Sequence, residues 1–177
     1  MLLLSRTSCL TVGAVTVLIG MLSGCAPTPD PNPSPTPAFA SEEEAFAAAE
    51  KVYRAYNDAV NAELTGDAAA DPTVYLAGSA LETDIDSSRQ IDSQNVTFVG
   101  DSVVAQFTGL EAALDRSPIE VDATACIDVS GTRLLDSSGT DVTPIDRPTR
   151  VLLELTFVES KGTLLISDTQ AAEEFEC

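Results

Sequence analysis

Ile119-Glu120-Val121-Asp122-Ala123-Thr124-Ala125-Cys126-Ile127-Asp128-Val129 is the stretch that decides the fold. Its residues alternate. Ile119, Val121, Ala123, Ala125, Ile127 and Val129 share one side; Glu120, Asp122, Thr124, Cys126 and Asp128 share the other. Successive side chains of a strand point to opposite faces, so this period predicts a strand with one face in a core and one in water. Downstream, Arg133-Leu134-Leu135 meets a turn at Asp136-Ser137-Ser138-Gly139. Arg150 to Val158 reads as an apolar strand, Glu159-Ser160-Lys161-Gly162 as a hairpin turn and Thr163 to Ser167 as the returning strand. Upstream, Val96 to Val99 and Ser102 to Phe107 read as a hairpin turning at Gly100-Asp101.

Further upstream the period becomes helical. Ser41 is an N-cap and Glu44 holds the capping-box position, with Glu42, Glu43 and Glu44 at the positive end of the helix dipole. Phe46, Ala49, Tyr53, Tyr56, Val60 and Leu64 recur at spacings of three and four, and Gly66 stops the run. Asp71-Pro72-Thr73 starts a second, shorter helix carrying Val74, Leu76 and Leu81. The fold class is therefore α+β: N-terminal helices packed on a curved antiparallel sheet of about five or six strands.

Composition excludes several functions. The chain has no His and no Trp, 9 Lys+Arg against 28 Asp+Glu, and a net charge of −19. Without His there is no Ser-His-Asp or Cys-His catalysis and no His-ligated zinc. A chain this acidic lacks the basic patch that nucleic-acid phosphates require. An apolar fraction of 44% is too high for wholesale disorder.

The first residues are an address. Arg6 is the only charged residue before Asp30, and the apolar run Leu10–Leu22 is too short for a bilayer span of about 20 residues. It ends in Leu22-Ser23-Gly24-Cys25, which resembles the bacterial lipoprotein lipobox at all four positions. The resemblance implies cleavage between Gly24 and Cys25 and a diacylglyceryl thioether on Cys25, which supplies two acyl chains such as palmitate. Two acyl chains hold a protein stably on a membrane. Cys9 falls in the discarded leader. Residues 27–37 carry six of the ten prolines, one at every second position. They should form a polyproline II spacer of about 34 Å. The expected organisation is a signal peptide over 1–24, the lipidated cysteine and tether over 25–40, and one domain over 41–177.

From Ser41 onward the element order is similar to the nuclear transport factor 2-like superfamily, a cone-shaped α+β fold. The Lys51-Val52-Tyr53-Arg54-Ala55-Tyr56-Asn57 helix, the Cys126-Ile127-Asp128 strand and the late hairpin closing near Cys177 are similar to small actinobacterial lipoproteins of that kind. That resemblance implies enzymes, ligand binders or structural modules alike, since fold does not fix function.

With Cys25 lipidated, Cys126 and Cys177 remain. Outside the reducing cytoplasm they are expected to pair, with free thiols or an intermolecular link as alternatives. Tyr53 and Tyr56 are candidates for lining a ligand pocket, or else plain core. Glu82, Asp84, Asp86 and Asp92 crowd one segment, and Asp136 and Asp141 flank a turn; neither has the spacing of an EF-hand loop, so both are read as solvated surface, with weak cation binding as the alternative. Asp128 with Glu154 or Asp122 is a candidate carboxylate pair, and Asn95-Val96-Thr97 fits a glycosylation acceptor. No catalytic residue, metal site or cofactor is expected. The expected function is a membrane-anchored, extracytoplasmic lipoprotein whose domain binds a cell-envelope or protein partner without catalysis. A small-molecule carrier using the cone interior is the alternative, and an isomerase- or dehydratase-like enzyme the third reading.

Overall fold

The computed structural model describes residues 38–172 and 177. The leader, Gly24 and Cys25 of the lipobox, and the proline tether lie outside the described residues. No helix among the described residues is long and apolar enough to cross a membrane.

Helix α1 spans Glu42–Leu64. Ser41 Oγ accepts the Glu44 N–H at 3.3 Å, while the Glu44 carboxylate reaches back to the Ala40 N–H at 2.7 Å. The orphan N–H of Glu44 in the first turn and the N–H of Ala40 just before the cap are thereby partnered. At the other end Gly66 has φ +86, its N–H donates to Glu63 O, and Asp67 N–H donates to Ala62 O. This is a Schellman close, which needs the left-handed residue that Gly66 supplies. Asp71-Pro72-Thr73 begins only a 3-10 turn, Pro72–Tyr75. Leu76 then bridges to Ile166, and a separate 17-residue helix, α2, runs over Gly78–Gln94.

Six strands follow: β1 Val96–Val99, β2 Val103–Ala113, β3 Glu120–Asp128, β4 Arg133–Asp136, β5 Arg150–Ser160 and β6 Thr163–Ala171. They form two antiparallel sheets, β2-β3-β5-β6 and β1-β4, where one sheet of five or six strands is expected from the pattern. The expected β1–β2 hairpin at Gly100-Asp101 is not formed. Val99 lies opposite Arg133 and Val103 opposite Asp128, so β1 and β2 both run along the β3–β4 arm. Gly100 marks a kink in one long ribbon. Its φ is +83, and a Cβ there would stand 2.2 Å from Gly131 O, so the two backbones meet where only glycine fits. The β5–β6 hairpin forms as expected. Lys161 and Gly162 have φ of 53 and 85, the two-residue turn that matches strand twist.

The core lies between α1 and one face of the larger sheet. Ala45, Ala49 and Tyr53 of α1 meet Val121, Ala123, Ala125 and Ile127 of β3, with Leu155, Phe157, Leu164 and Ile166 beside them. The β3 alternation thus places its apolar residues inward, as its sequence predicts. Burying a side chain such as Phe157 or Ile166 contributes about 2 kcal/mol. Gly109 lets α1 approach the sheet, because a Cβ there would stand 2.2 Å from Phe46 Cγ.

Candidate functional site

The opposite face of the larger sheet is the candidate site. The antiparallel register sets Glu111 opposite Asp122, Asp122 opposite Thr156, and Thr156 opposite Asp168. One row therefore crosses all four strands, with Glu154 one rung away opposite Gln170. Their side chains line a groove of about 430 Å³, with Leu110, Ala123 and Leu155 in its walls. Thr156 Oγ1 donates to Asp122 Oδ1 at 2.8 Å. Asp168 accepts from Ser79 Oγ at the start of α2 and from Gln170 Nε2 at 2.8 Å. The Ser79 hydrogen bond, then that of Gln170, holds the Asp168 carboxyl below its usual range. Among the described residues no Lys or Arg lines the groove. Directly opposed like charges such as Glu111 and Asp122 oppose sheet pairing.

Tyr53 and Tyr56 belong to the interior. Tyr53 is 4% exposed, its ring 6.0 Å from Tyr56 and 6.3 Å from Phe107, which in turn stacks edge-on with Phe157. Burial pushes both phenol pKa values up, and the Asp84 charge adds to the effect at Tyr56. Tyr56 Oη donates to Asp84 at 3.3 Å, joining α1 to α2.

The expected acidic groupings are dispersed. Asp128 shares the open face with Asp122 and Glu154 but sits at the far end of β3, opposite Arg150. It accepts the Ser130 N–H at 2.9 Å and lies 3.7 Å from Arg150 Nε, away from both proposed partners. Glu82, Asp84, Asp86 and Asp92 fall on α2, where Asp86 pairs with Arg89. Asp136 closes its turn by accepting from Ser138 and Thr140, and Asp141 accepts from Thr143. Among the described residues no group of three or more acidic or cysteine side chains is arranged to hold a metal ion. Asn95 ends α2 with φ 54.

Cys126 and Cys177 form a disulfide, with Cα atoms 5.8 Å apart. Cys126 projects to the open face beside Leu152, and Arg150 donates to the Cys177 carbonyl at 3.2 Å. The last residue is thus fastened to the sheet.

One polar cluster escapes the apolar pattern. Asn57 and Asn61 of α1 both donate to Ser102 O, at 3.0 and 2.9 Å; Asn61 Oδ1 accepts the Ser102 N–H at 3.0 Å, and Asn57 Oδ1 accepts Ser102 Oγ at 2.9 Å. Arg54 donates to Val104 O at 3.0 Å. Together they fix the start of β2 against the helix. The visible signal was a pair of asparagines four apart beside the apolar stripe.

No protein-family model matches the sequence, and no curated protein does. Among solved structures the chain is similar to the intermembrane space region of chloroplast protein ARC6, with a TM-score of 0.52 and 14% identity over 71% of this chain and 95% of that one. At that identity the likeness speaks to fold alone.

Proposed function

We propose that the protein is a membrane-anchored, extracytoplasmic lipoprotein whose nuclear transport factor 2-like domain is a non-catalytic binding module. The anchor is a lipid on Cys25, reached through cleavage after Gly24, and residues 27–37 hold the domain away from the membrane. The observation that carries the reading is the Cys126–Cys177 disulfide. Such a bridge persists in oxidising compartments and is rare in the cytosol, and the lipobox directs the chain to the same side of the membrane.

Two features favour binding on the surface over carriage or catalysis within. Tyr53, Phe107, Phe157 and Ile166 pack the interior where a carrier would hold its ligand. The carboxylates of Glu111, Asp122, Glu154 and Asp168 lie on the open face of the sheet, with Asp122 and Asp168 fixed by hydrogen bonds. A cell-envelope or protein partner is the expected ligand, with no cofactor and no nucleic acid.

Cell fractionation of the wild type and Cys25→Ala tests the reading, together with protease treatment of intact cells. The wild type should partition with membranes and be cut from outside, and the variant should leave the membrane fraction. Unchanged membrane association of Cys25→Ala, or full protection in intact cells, would refute it.

A further inference from the structure

The open face of the four-stranded sheet has four features that bear on what covers it. Glu111, Asp122, Glu154 and Asp168 bring four carboxylates to one groove, and no basic side chain among the described residues lines it. Two of them, Glu111 and Asp122, are directly opposed across β2 and β3. This arrangement works against folding, and an incoming cation would relieve it. The groove also holds an apolar handle, since Leu110 is 60% exposed. Finally, β2 is an edge strand, paired with β3 alone.

The carboxylates are spread along a row rather than gathered on a point. From β2 to β6 is three strand spacings, about 14 Å. An extended segment carrying cations at alternate residues spaces three of them over about 13 Å. A single metal ion does not match that distribution, and no metal-holding group occurs among the described residues. A second copy of the chain is disfavoured by charge, since each carries −19. A cationic partner is both complementary at the groove and steered toward it.

We propose that this face docks an extended, lysine- or arginine-bearing segment of another protein across β2, β3, β5 and β6. The inference rests on reading the domain as a binding module and deepens it by naming the partner's chemistry. It is tested by the full-length chain in detergent with a peptide of about nine residues alternating Lys and Thr, and with the Glu-Thr counterpart as control. Binding is followed by amide chemical shifts and titration. The Lys-Thr peptide should bind, more weakly as salt rises, and shift amides of the four strands. Glu111→Gln/Asp122→Asn should weaken it roughly tenfold or more, because two facing charges are lost. Asp58→Asn/Glu63→Gln removes the same net charge from α1 and should change affinity by less than about twofold. Both pairs of substitutions are near-isosteric, and thermal melts confirm that each variant is folded. No binding at low salt, equal weakening by the two double variants, or shifts spread evenly over the acidic surface would each overturn the proposal. Fractionation of Cys25→Ala reads the anchor independently, so failure of one is distinguishable from failure of the other.

Discussion

Reducing the Cys126–Cys177 bridge should lower the stability of the domain by about 4 kcal/mol. The two cysteines are 51 residues apart. Closing a loop of that size removes about 14 cal/mol/K of chain entropy from the unfolded state, or about 4 kcal/mol at 25 °C. Domains of this kind have about 5–15 kcal/mol in total, so the bridge supplies a large share. At about 3 °C per kcal/mol for a chain of this length, the melting midpoint should fall by about 12 °C. The native sheet should survive reduction, because β3 is paired along its whole length with both β2 and β5. The far-ultraviolet circular dichroism of the reduced protein at 25 °C should therefore match that of the oxidised protein. The assay is a thermal melt of the oxidised chain, the reduced chain and Cys126→Ser/Cys177→Ser, with thiol titration of the denatured samples to establish the redox state. The reasoning is refuted if the oxidised and reduced melts coincide within about 2 °C while titration shows the bridge formed.

Three further outcomes follow from the geometry. Asn61→Ala should cost about 1–3 kcal/mol, because it leaves the Ser102 N–H without its side-chain partner; Asn57→Ala, whose contacts to Ser102 are shared with Asn61, should cost about 1 kcal/mol, and urea unfolding of both singles and the double should show non-additivity. Gly100→Ala should destabilise by at least about 3 kcal/mol, since it combines a left-handed φ with a backbone clash at Gly131, whereas Gly139→Ala, at φ +81 in open space, should cost about 1 kcal/mol in the same melts. The Ser138 and Thr140 hydrogen bonds hold the Asp136 pKa below its unfolded value, so its contribution is present above about pH 4 and is lost as pH falls through the folded value; melts across acid pH should show a shallower decline for Asp136→Asn.

Much of the architecture is legible in local pattern, and what is not depends on distant partners. Helix α1 announces itself through Ser41, Glu44 and Gly66, and β3 through its alternation, because cap chemistry and strand period are properties of neighbouring residues. The β5–β6 hairpin is equally local, resting on Lys161 and Gly162. Helix α2 is obscured because Ala80, Leu81, Ile85 and Ile91 are set among acidic and hydroxyl residues, a thin apolar face for a helix at the edge of the sheet. The Gly100-Asp101 signal marks a kink rather than a hairpin, because the partner of β1 is β4, with Val99 opposite Arg133 and Val96 opposite Asp136, a separation that no local rule reaches. The candidate site shows the same division. Alternation assigns Asp122, Asp128 and Glu154 to strand faces, yet only the register shows that Asp122 meets Glu111 and shares a groove with Glu154 and Asp168, while Asp128 stands at the other end. The asparagine clamp is hidden for the same reason, since its partner is the backbone of Ser102.

The central claim is that this chain works outside the cytoplasm on a lipid anchor, and the mass of the amino-terminal peptide of protein purified from native membranes tests it most directly. The account predicts a chain beginning at Cys25 and carrying a diacylglyceryl group on that residue, with the leader absent. An intact leader with an unmodified Cys25 would contradict it.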